Sequence, residues 1–502
     1  MTDFTIEALA GSCLPLFVNN RFTESGGGRF PSFDPSTGRE WCTVSDATTD
    51  EVDGAVRAAQ AAMANPEWRD MSQSNRGVLL ARLADLVARD ADRLSRIEVQ
   101  DNGKLLREMQ ALTSAVSVGM RYFAGMADKI EGTTIPVNKP DMINLTLREP
   151  LGVVGIIVPW NSPLLLLNRA MAPCLAVGNA MVVKPSEHAS VSILALAELV
   201  VEAGFPEGVF NVVTGKGDTT GNALVSHPGL AKIDFTGGPT TGRIIARGAA
   251  DNLVPTALEL GGKSPHIICE DADLDRAVNG VISGIFAAGG QTCVAGSRCL
   301  VHESVYDEVL DRLIARTADI RIGAPLEEET QLGPLALWAQ VEKVEHFVSL
   351  ARAEGARLVA GGGRPEGFGD GWYVEPTVFA DVTNDMAVAR DEIFGPVLGV
   401  MRYSDEDDMI KQANDTRFGL AAGIWTDDLN RALRFMRRIE AGMVWINTYR
   451  SPSIMSPSGG FKESGYGKHN GFAAISEFSR IKTVVIDYSG QTQDAFVMRV
   501  QK

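Results

Sequence analysis

Short runs of apolar and β-branched residues alternate with longer helical patterns over residues 152 to 250. The strand-like runs cover residues 152–158, 181–183, 210–213 and 232–235. The helical patterns between and after them cover residues 164–177, 191–203, 219–225 and 241–250. Strands that are almost continuously apolar and separated by helices are typical of a parallel sheet covered on both faces. The pattern therefore predicts an α/β fold, in which ligands bind at the carboxyl ends of the strands.

The segments before and after this region carry two other patterns. Thr48 and Glu51 have the spacing of a capping box, which predicts that a helix begins there. Amphipathic patterns continue through residues 76–89 to about residue 126, and we interpret them as helices that face a core. Alternating polarity over residues 130–147, with a similar segment at residues 482–487, predicts strands outside the helical layer. Taken alone, these strands are compatible with two edge hairpins on a monomer.

Each predicted strand in the alternating region ends in a turn that opens the next helix. The four turns are PWNSP at residues 159–163, KPSE at 184–187, GKG at 215–217 and TGGPTTG at 236–242. Helix N-termini bind phosphate through free N–H groups, Lys184 adds a positive charge, and Glu187 could accept hydrogen bonds from a ribose diol. One such turn is more often a packing feature, but four in succession favour a dinucleotide site. The usual Rossmann fingerprint is absent, because residues 215–221 hold one residue too many for G-x-G-x-x-G.

Length, charge and composition exclude some classes of protein but do not indicate a particular function. At 502 residues the chain is long enough for two or three domains. Its net charge of -16 argues against nucleic acid or an anionic membrane as a partner, because both attract basic surfaces. The cysteines form no C-x-x-C pair and the histidines do not cluster, so we expect neither a disulfide framework nor a metal site. No signal peptide is visible and no apolar run approaches the roughly 18 residues of a membrane span, so we expect a cytoplasmic protein.

The strongest candidate for chemistry is Cys293, which lies in the segment GGQTCVAGSR at residues 289–298. Glycines and small residues leave its sulfur open to approach, and nearby backbone N–H groups can stabilise negative charge. The alternative is a buried structural cysteine, which is the commoner role of an isolated cysteine. The segment closely resembles the catalytic-cysteine loop of the aldehyde dehydrogenase superfamily.

Four more motifs resemble that family in the same order and spacing, and the resemblance covers nearly the whole chain. They are PWN at residues 159–161, LELGGKSP at 258–265, EIFGPV at 392–397 and SPSGGFK at 456–462. The resemblance implies a variant Rossmann NAD(P)-binding domain over residues 1–126 and 147–258, and an α/β catalytic domain over residues 259–461. It also implies a small oligomerisation sheet from residues 127–146 and 480–502, and assembly into a homodimer or a homotetramer.

The resemblance also implies roles for individual residues. Three are catalytic: Cys293 as the nucleophile, Glu259 as the general base and Asn161 as a donor to the oxyanion. The residues implied to bind the cofactor are Ile157, Trp160, Lys184, Glu187, Gly217, Phe235, Gly237, Gly238, Glu392 and Phe394. The expected cofactor is NAD, because an acid at Glu187 would repel the additional phosphate of NADP, although NADP is not excluded. Gly238 stands where many members have a serine, so one hydroxyl contact to phosphate is expected to be missing.

These residue types match the chemistry of aldehyde oxidation. The Cys293 thiolate would add to the aldehyde, and the Asn161 amide and the Cys293 N–H would bind the oxyanion of the thiohemiacetal. Hydride transfer to nicotinamide would leave a thioester, and water activated by Glu259 would release the free acid. Two alternatives stay open. An acylating aldehyde dehydrogenase passes the thioester to coenzyme A but typically lacks this glutamate, and a cysteine hydrolase or esterase would use His266 or another histidine as its base.

Position 480 departs from the pattern of the family. Many members have a glutamate there, before the Lys-Thr of the closing strand, and it is sometimes proposed as a second proton acceptor. This chain has Arg480 instead. The resemblance therefore implies that Glu259 acts alone or relays protons through water.

Two arginines suggest the class of substrate. Arg169 occupies a position that is often tryptophan in broad-specificity members, and succinate-semialdehyde dehydrogenases place there an arginine that pairs with the substrate carboxylate. Arg450, after the strand pattern at residues 445–447, is a second candidate. Against this, residues 287–289 lack the second arginine of that branch, and a structural ion pair of Arg169 is an equal alternative. We hypothesise an aldehyde that bears a carboxylate or another acyl oxygen, such as a catabolic semialdehyde.

Overall fold

The computed structural model describes residues 4–451, 453–491 and 496 of the chain. These residues form two large α/β units and a separate three-stranded sheet. Each large unit is built on one sheet whose central strands are parallel. The α/β fold class predicted from the sequence is therefore confirmed.

The first sheet has eight strands and contains the four that the sequence predicts. Its strands, in spatial order, are Gly465–Tyr466, Thr256–Glu259, Lys232–Thr236, Val153–Val158, Ala180–Pro185, Phe210–Val212, Leu16–Val18 and Arg21–Thr23. The five strands from Thr256–Glu259 to Phe210–Val212 pair in parallel. The prediction of a parallel sheet is therefore confirmed, while the outer strands, which pair antiparallel, were not predicted.

Eleven described helices surround the first sheet or lie in the segments leading to it. They are Ile6–Leu9, Thr49–Ala64, Pro66–Arg69, Gln73–Arg89, Ala91–Asn102, Leu106–Met126, Pro163–Val177, Val191–Ala203, Asn222–Val225, Pro239–Asp251 and Ala473–Glu477. The capping box at Thr48 and Glu51 is present and begins the second of these helices. The helix Pro163–Val177 begins with proline and ends at Gly178, whose φ of 102° is easy only for glycine. A small sheet of Cys13–Leu14, Arg39–Ser45 and Arg29–Asp34 lies beside this unit.

The second sheet has seven strands. In spatial order they are Arg357–Ala360, Thr377–Ala380, Val397–Tyr403, Arg298–His302, Pro265–Ile268, Ala421–Trp425 and Met443–Ile446. Its described helices are Leu274–Phe286, Tyr306–Ala318, Trp338–Ala353, Ala387–Arg390, Glu406–Asn414 and Leu429–Arg438. A two-stranded ladder joins Phe418–Gly419 to Phe461–Lys462. Apolar clusters cover both faces of this sheet, so its inner strands are buried on both sides, while the two edge strands are partly exposed.

The third sheet contains Ser479–Asp487, Met142–Pro150 and Thr134–Ile135. The first two strands pair antiparallel without interruption from Ser479 opposite Pro150 to Asp487 opposite Met142. The strand that the sequence predicts over residues 130–147 therefore continues past the predicted domain boundary at residue 146. The final residues of the predicted segment 480–502, namely 492–495 and 497–502, lie outside the described residues.

The two large units meet where the chain leaves the first sheet. Glu259 is the last residue of a first-sheet strand, and the second sheet begins soon afterwards at Pro265. The predicted boundary between residues 258 and 259 therefore falls inside a strand, at the rim of the cleft between the units. Among the residues described, no helix combines the length and the apolar character that a membrane span requires.

Candidate active site

A cavity of about 200 Å³ lies at the carboxyl ends of the first-sheet strands, where the second unit faces them. Eight residues that the sequence assigns to catalysis or cofactor binding line it: Trp160, Asn161, Gly237, Gly238, Glu259, Cys293, Glu392 and Phe394. Gln340 and Lys343, on the helix Trp338–Ala353, complete its wall and were not predicted. The sequence motifs that lie far apart in the chain are therefore brought to one place by the fold.

The loop that carries Cys293 follows the helix Leu274–Phe286 through a tight turn. Ala288, Gly289 and Gly290 have φ values of 58°, 62° and 69°, so three successive residues adopt the left-handed conformation. A Cβ at Gly290 would lie 2.1 Å from the carbonyl oxygen of Gly395, which leaves room only for glycine. The turn reverses the chain and presents the half-buried Cys293 to the cavity.

Burial raises the pKa of the Cys293 thiol, and the nearby positive charge of Arg169 acts in the opposite direction. Glu392 and Glu259 add to the increase, since two carboxylates near a thiol disfavour the thiolate. In this state of the protein the cysteine is therefore held mainly as the thiol. A nucleophilic role would need the charge balance to change when ligands enter the cavity.

Asn161 connects the two units at the cavity. It is buried between the strand Val153–Val158 and the helix Pro163–Val177, and its Nδ2 donates a hydrogen bond of 3.0 Å to the carbonyl oxygen of Gln291. Gln291 lies in the Cys293 loop and is fully buried. Because an amide group carries two N–H hydrogens, Asn161 keeps a second donor while the first holds the cysteine loop in place.

Glu259 is a buried carboxylate without a complete set of hydrogen bonds. Its Oε1 has no hydrogen-bond partner among the described residues. Burial raises the pKa of Glu259 to about 7, with His469 and Arg169 acting in the opposite direction. Such a group exchanges a proton near neutral pH, which is the property that a general base requires.

A buried pair of His469 and Asp234 lies beside Glu259 and was not found from the sequence. His469 Nε2 lies 3.0 Å from Asp234 Oδ2, and both side chains are almost fully buried. Asp234 is paired in register with Ala257, which points to the same face of the sheet as Glu259 two residues later. Burial lowers the pKa of His469, but Asp234 and Glu259 outweigh it and raise the pKa overall. The one available signal was an aspartate inside an otherwise apolar predicted strand.

Position 480, where the resemblance puts a second proton acceptor in many members, lies on the third sheet of this structure. Arg480 is exposed on the third sheet and forms an ion pair with Glu149 at 3.6 Å. The charged groups that act on Glu259 are His469, Arg169, Asp234 and Lys468. The reason is that the strand Ser479–Asp487 pairs with Met142–Pro150 in the third sheet and with no strand of the first sheet.

Glu392 is the second carboxylate of the cavity and is firmly held. Its Oε1 accepts a hydrogen bond of 3.0 Å from the backbone N–H of Gly262. A Cβ at Gly261 would lie 2.1 Å from its Oε2, so the glutamate fills the space that a side chain would need. Burial raises the pKa of Glu392. Nearby, the rings of Trp160 and Phe394 meet edge to face with centroids 5.4 Å apart.

The remaining predicted cofactor residues lie together along the first sheet. Ile157 is opposite Lys184 on one neighbouring strand and opposite Phe235 on the other. Lys184 Nζ is 3.1 Å from Glu187 Oε2, and the Gly217 N–H is 3.4 Å from Glu187 Oε1. Burial acts to raise the pKa of Glu187, but Lys184 outweighs it, and the pKa lies below its usual range. Glu187 is therefore an ionised acceptor at neutral pH.

A second cavity, of about 550 Å³, begins at Glu187 and extends toward the second unit. Most of the residues that line it are apolar, and these include Phe30, Phe33, Trp338 and Trp372. At the other end of the predicted site, Gly238 precedes the helix Pro239–Asp251 and supplies no side-chain cap. Pro239 has no N–H group, so the donors that this helix offers to an anion are the backbone N–H groups of Thr240 and Thr241.

The two arginines that the sequence links to the substrate differ in their surroundings. Arg169, on the helix Pro163–Val177, is half-buried, and no hydrogen bond or ion pair joins it to another described residue. It acts electrostatically on both Cys293 and Glu259. Arg450 Nη1 donates to the carbonyl oxygens of Ser283, at 3.3 Å, and Ala287, at 3.2 Å. The first arginine is thus unpaired beside the cavity, and the second supports the turn before Cys293.

His266, the histidine named for a hydrolase, is committed elsewhere. It is fully buried, accepts a hydrogen bond of 2.6 Å from Trp425 Nε1 at its Nε2, and stacks on Tyr449 at 4.2 Å. Burial lowers the pKa of His266 to about 3, so it binds a proton only in strong acid. The geometry therefore leaves His266 unable to act as the base that the hydrolase alternative assigns to it.

One group of possible metal ligands is present among the described residues. Ligand atoms of Cys269, Glu270 and Asp271 lie within 4.8 Å of one another. Arg431 occupies both carboxylates, at 2.6 Å from Glu270 and 2.9 Å from Asp271. The group is therefore part of an ion-pair network on the second unit and lies away from the cavity that holds Cys293.

The chain belongs to the aldehyde dehydrogenase family, whose model matches residues 22–484. The expectation of an oxidoreductase that acts on aldehydes is confirmed at the level of the family.

The chain is 46% identical over 486 residues to (Z)-2-((N-methylformamido)methylene)-5-hydroxybutyrolactone dehydrogenase of Acinetobacter baylyi, covering 96% of this chain and 99% of that protein. It is 44% identical over 476 residues to hydroxyisobutyraldehyde dehydrogenase of Mycolicibacterium austroafricanum, covering 94% and 93%. The solved NAD+ complex of an aldehyde dehydrogenase from Bacillus cereus is 40% identical, with a TM-score of 0.94 and coverage of 96% of this chain and 98% of that one.

Proposed function

We propose that this protein oxidises an aldehyde to the free carboxylic acid with NAD as the hydride acceptor, through a thioester on Cys293. The observation that carries the proposal is the meeting of Cys293 and Glu259 in one cavity, although they belong to different α/β units. Cys293 supplies the nucleophile, and Glu259, with a pKa raised by burial to about 7, supplies the base. The placement of both on the cavity wall fits a reaction in which acyl transfer and hydrolysis occur at the same carbon.

The first step is addition of Cys293, as the thiolate that is left when the thiol gives its proton to solvent, to the carbonyl carbon of the aldehyde. The carbonyl oxygen gains negative charge, and the free N–H of Asn161 and the backbone N–H of Cys293 are its donors. Asn161 is already anchored to Gln291 at 3.0 Å, so it needs little reorganisation to act. Loss of one such donor costs about 10²–10³ in rate in related acyl-transfer chemistry.

The residues around the cavity fit a nicotinamide dinucleotide. Bound NAD supplies an acceptor for the hydride that leaves the thiohemiacetal carbon. The uncapped helix N-terminus at Gly238 suits its pyrophosphate, and the two glutamates Glu187 and Glu392 suit its two ribose diols. An ionised Glu187 disfavours the additional phosphate of NADP. The solved Bacillus cereus relative that holds NAD+ supports this choice of cofactor.

The second step is hydrolysis of the thioester. Glu259 takes a proton from water, which attacks the acyl carbon and releases the acid and the Cys293 sulfur. The unpartnered Oε1 of Glu259 is free to contact that water. Because acylating relatives typically lack this glutamate, its presence favours hydrolysis over transfer to coenzyme A. The hydrolase alternative is weaker still, since His266 is held by Trp425.

We infer that the substrate carries a carboxylate or another acyl oxygen. Arg169 has no described hydrogen-bond or ion-pair partner, which argues against the structural ion pair that was its alternative. A half-buried guanidinium without a partner is suited to bind a carboxylate through two parallel hydrogen bonds. The Acinetobacter relative is named for a hydroxybutyrolactone and the Mycolicibacterium relative for hydroxyisobutyraldehyde, both of which bear oxygen besides the reacting group.

We further infer that each of the three sheets has a separate role. The unit on the first sheet binds the cofactor, the unit on the second sheet carries the nucleophile, and the third sheet joins subunits into a homodimer or homotetramer. Exposed apolar side chains on the third sheet, at Ile143, Leu147, Ile481 and Val485, favour such a contact. Light scattering of the purified protein tests the assembly, and a monomer would contradict it.

The proposed reaction is tested by following NADH absorbance with a panel of neutral and carboxylate-bearing aldehydes, using NAD or NADP, with and without coenzyme A. We expect reduction of NAD and release of free acid in the absence of coenzyme A. Formation of an acyl-coenzyme A instead would favour the acylating alternative. No cofactor reduction with any aldehyde, together with ester cleavage that needs no nucleotide, would favour the hydrolase.

The proposed substrate class is tested with Arg169→Ala. We expect a strong rise in KM for a semialdehyde that bears a carboxylate and little change for a neutral aldehyde of similar size. The neutral aldehyde is the internal control for folding and for the chemical steps. Equal losses on both substrates would contradict a carboxylate site at Arg169.

A further inference from the structure

Two charged residues behind the active site, one buried and one half-buried, have no part in the proposed reaction. Lys104 lies in the short link between the helices Ala91–Asn102 and Leu106–Met126, and Glu108 lies one turn further on. Lys104 is buried, and Glu108 has one carboxylate oxygen buried without a partner among the described residues. Burying charge is costly unless a defined set of hydrogen bonds offsets it, so their contacts are informative.

Lys104 reaches the side of the cavity that carries the oxyanion donor. Its Nζ donates a hydrogen bond of 2.8 Å to Ser162 Oγ. Ser162 Oγ in turn donates to the backbone carbonyl of Asn161 at 2.6 Å. The lysine is thereby connected, through one hydroxyl, to the backbone of the asparagine that we place in the oxyanion site.

Glu108 reaches the side of the cavity that carries the nucleophile. Its Oε1 accepts a hydrogen bond of 2.8 Å from the backbone N–H of Ala288. Ala288 is a non-glycine residue with a φ of 58° and begins the left-handed turn before Cys293. Such a conformation is unfavourable for alanine, so the bond from Glu108 stabilises the turn where it most needs support.

These contacts close into a circuit. The N–H of Gln291 donates to the carbonyl of Ala288 at 3.0 Å, and the carbonyl of Gln291 accepts from Asn161 Nδ2 at 3.0 Å. The path of hydrogen bonds therefore passes through six residues, in the order Lys104, Ser162, Asn161, Gln291, Ala288 and Glu108. Lys104 and Glu108 are four residues apart in the chain, so the link before the helix Leu106–Met126 and the first turn of that helix join the two ends of the path.

We propose that Lys104 and Glu108 are positioning residues that hold Asn161 and the Cys293 N–H at the separation which the oxyanion requires. The inference rests on the proposed function, because it concerns the same site. The two donors come from different α/β units, and the circuit is a direct connection between them at the cavity wall. A small change in their separation weakens an oxyanion site strongly while leaving ligand binding intact.

The charges around Lys104 are consistent with this role. Glu108 and Glu98 attract its charge, Cys293 acts in the same direction, and Arg450 opposes it. Burial lowers the pKa of Lys104 to about 8, so the side chain is still mainly protonated at neutral pH and can donate to Ser162. The lysine thus serves as a hydrogen-bond donor, and its positive charge also interacts with Cys293.

The test is a rapid-mixing measurement of the first turnover of NADH formation in Lys104→Met and Glu108→Leu. We expect the first-turnover rate to fall about 10- to 100-fold in each, with the Kd of NAD and the KM of the aldehyde changed less than about threefold. Glu108→Gln keeps a carbonyl acceptor for Ala288 and should recover most of the rate. Gln110→Leu, on the exposed side of the same helix, is the matched control and should behave as the unchanged enzyme.

A closed circuit makes a sharper claim about the double variant. Removing one hydrogen bond is enough to interrupt the circuit. The first-turnover rate of the double variant Lys104→Met with Glu108→Leu should therefore be no more than about twofold below that of the slower single variant. Losses that multiply would contradict the circuit. If Lys104→Met does not fold, Ser162→Ala cuts the same path, and Ser162→Thr, which keeps the hydroxyl, is its rescue. First-turnover rates that stay unchanged in the single variants would overturn the proposal.

Hydrogen exchange separates this inference from the proposed function. Peptides that cover residues 287–293 should exchange faster in Glu108→Leu than in Glu108→Gln, whether or not any aldehyde is oxidised. If the unchanged protein oxidises no aldehyde, yet exchange rises only in Glu108→Leu, the proposed function fails and the circuit stands. If aldehyde oxidation is normal and exchange is the same in both variants, the circuit fails and the proposed function stands.

Discussion

Two buried glutamates line the same cavity and have opposite surroundings. Glu259 ends a strand of the first sheet, and its Oε1 has no hydrogen-bond partner among the residues described. Glu392 follows the helix Ala387–Arg390, and its Oε1 receives the N–H of Gly262 at 3.0 Å. Burial raises the pKa of both groups. The two glutamates therefore differ in hydrogen bonding and not in burial. Glu259 is free to exchange a proton with water, whereas Glu392 is held as a hydrogen-bond acceptor.

Charged neighbours explain why the pKa of Glu259 lies close to neutral pH. Desolvation alone pushes the pKa of a buried carboxyl up by several units. His469 and Arg169 offset part of that effect at Glu259, and its pKa is about 7. Glu392 has Lys343 and Lys263 as counterparts, together with the bond from Gly262. The comparison therefore predicts that replacing Glu259 and replacing Glu392 slow different steps of the reaction.

The largest effect is expected from Glu259→Gln. The amide cannot accept a proton from water, so we expect steady-state kcat to fall about 10²- to 10⁴-fold. The first turnover should still release one NADH for each site, because addition and hydride transfer do not use this carboxylate. Rapid mixing with absorbance detection checks both values. A first turnover that slows as much as the steady state would place Glu259 in an earlier step.

A smaller effect, of a different kind, is expected from Glu392→Gln. The variant loses the charge of an acceptor that we assign to the ribose diol, and a lost charged hydrogen bond is worth about a tenfold change. We expect the Kd of NAD to rise about tenfold and the first turnover to slow, while hydrolysis of the thioester keeps its rate. Cofactor titration and rapid mixing measure these quantities. A specific loss of hydrolysis in this variant would remove the distinction between the two glutamates.

The pH dependence should separate the steps as well. Since Glu259 must be ionised to act as base, hydrolysis should rise with pH, with a midpoint near 7. His469→Asn removes a cation near Glu259 and leaves Asp234 unpaired, and both changes should move the midpoint to higher pH. Steady-state rates from pH 5.5 to 9 measure the shift, and the first turnover of NADH formation is the control. A midpoint that stays in place would exclude His469 as a charge that acts on Glu259.

The smallest effect is on stability. The pKa of Glu259 is about 7 in the folded protein, against 4.5 for an unperturbed glutamate. The folded state therefore holds this proton more tightly, and stability falls as pH rises from about 4.5 to about 7. Glu259→Gln removes that loss, so its stability relative to the unchanged protein should grow between pH 5 and pH 8, by at most roughly 3 kcal/mol. Denaturant unfolding at both pH values measures it, and a constant difference would contradict the raised pKa.

The sequence was most informative where local pattern and chemistry coincide. The four predicted strands of the first sheet are present and parallel, because buried parallel strands and their helices leave a clear periodic signal. Trp160, Asn161, Glu259, Cys293, Glu392 and Phe394 all line one cavity, as expected for motifs at strand ends and loops. Their chemical roles stay predictions.

The missed features depend on contacts between distant parts of the chain. His469 meets Asp234 across 235 positions, and Glu108 meets Ala288 across 180. Neither pair has a spacing that a motif could record. The sequence also did not show where Arg480 lies. Only the pairing of its strand with residues 142–150 shows that it belongs to the third sheet. Sequence pattern identifies the reacting groups here, and the tertiary fold identifies the groups that set their charge and position.

The most direct test of the account is mass spectrometry of Glu259→Gln after mixing with NAD and an excess of aldehyde. We expect the peptide that contains residue 293 to gain the mass of the acyl group, only when NAD is present, and Cys293→Ser to show no such gain. An unmodified Cys293 under these conditions, while NADH forms at one equivalent for each site, would contradict a thioester on this cysteine.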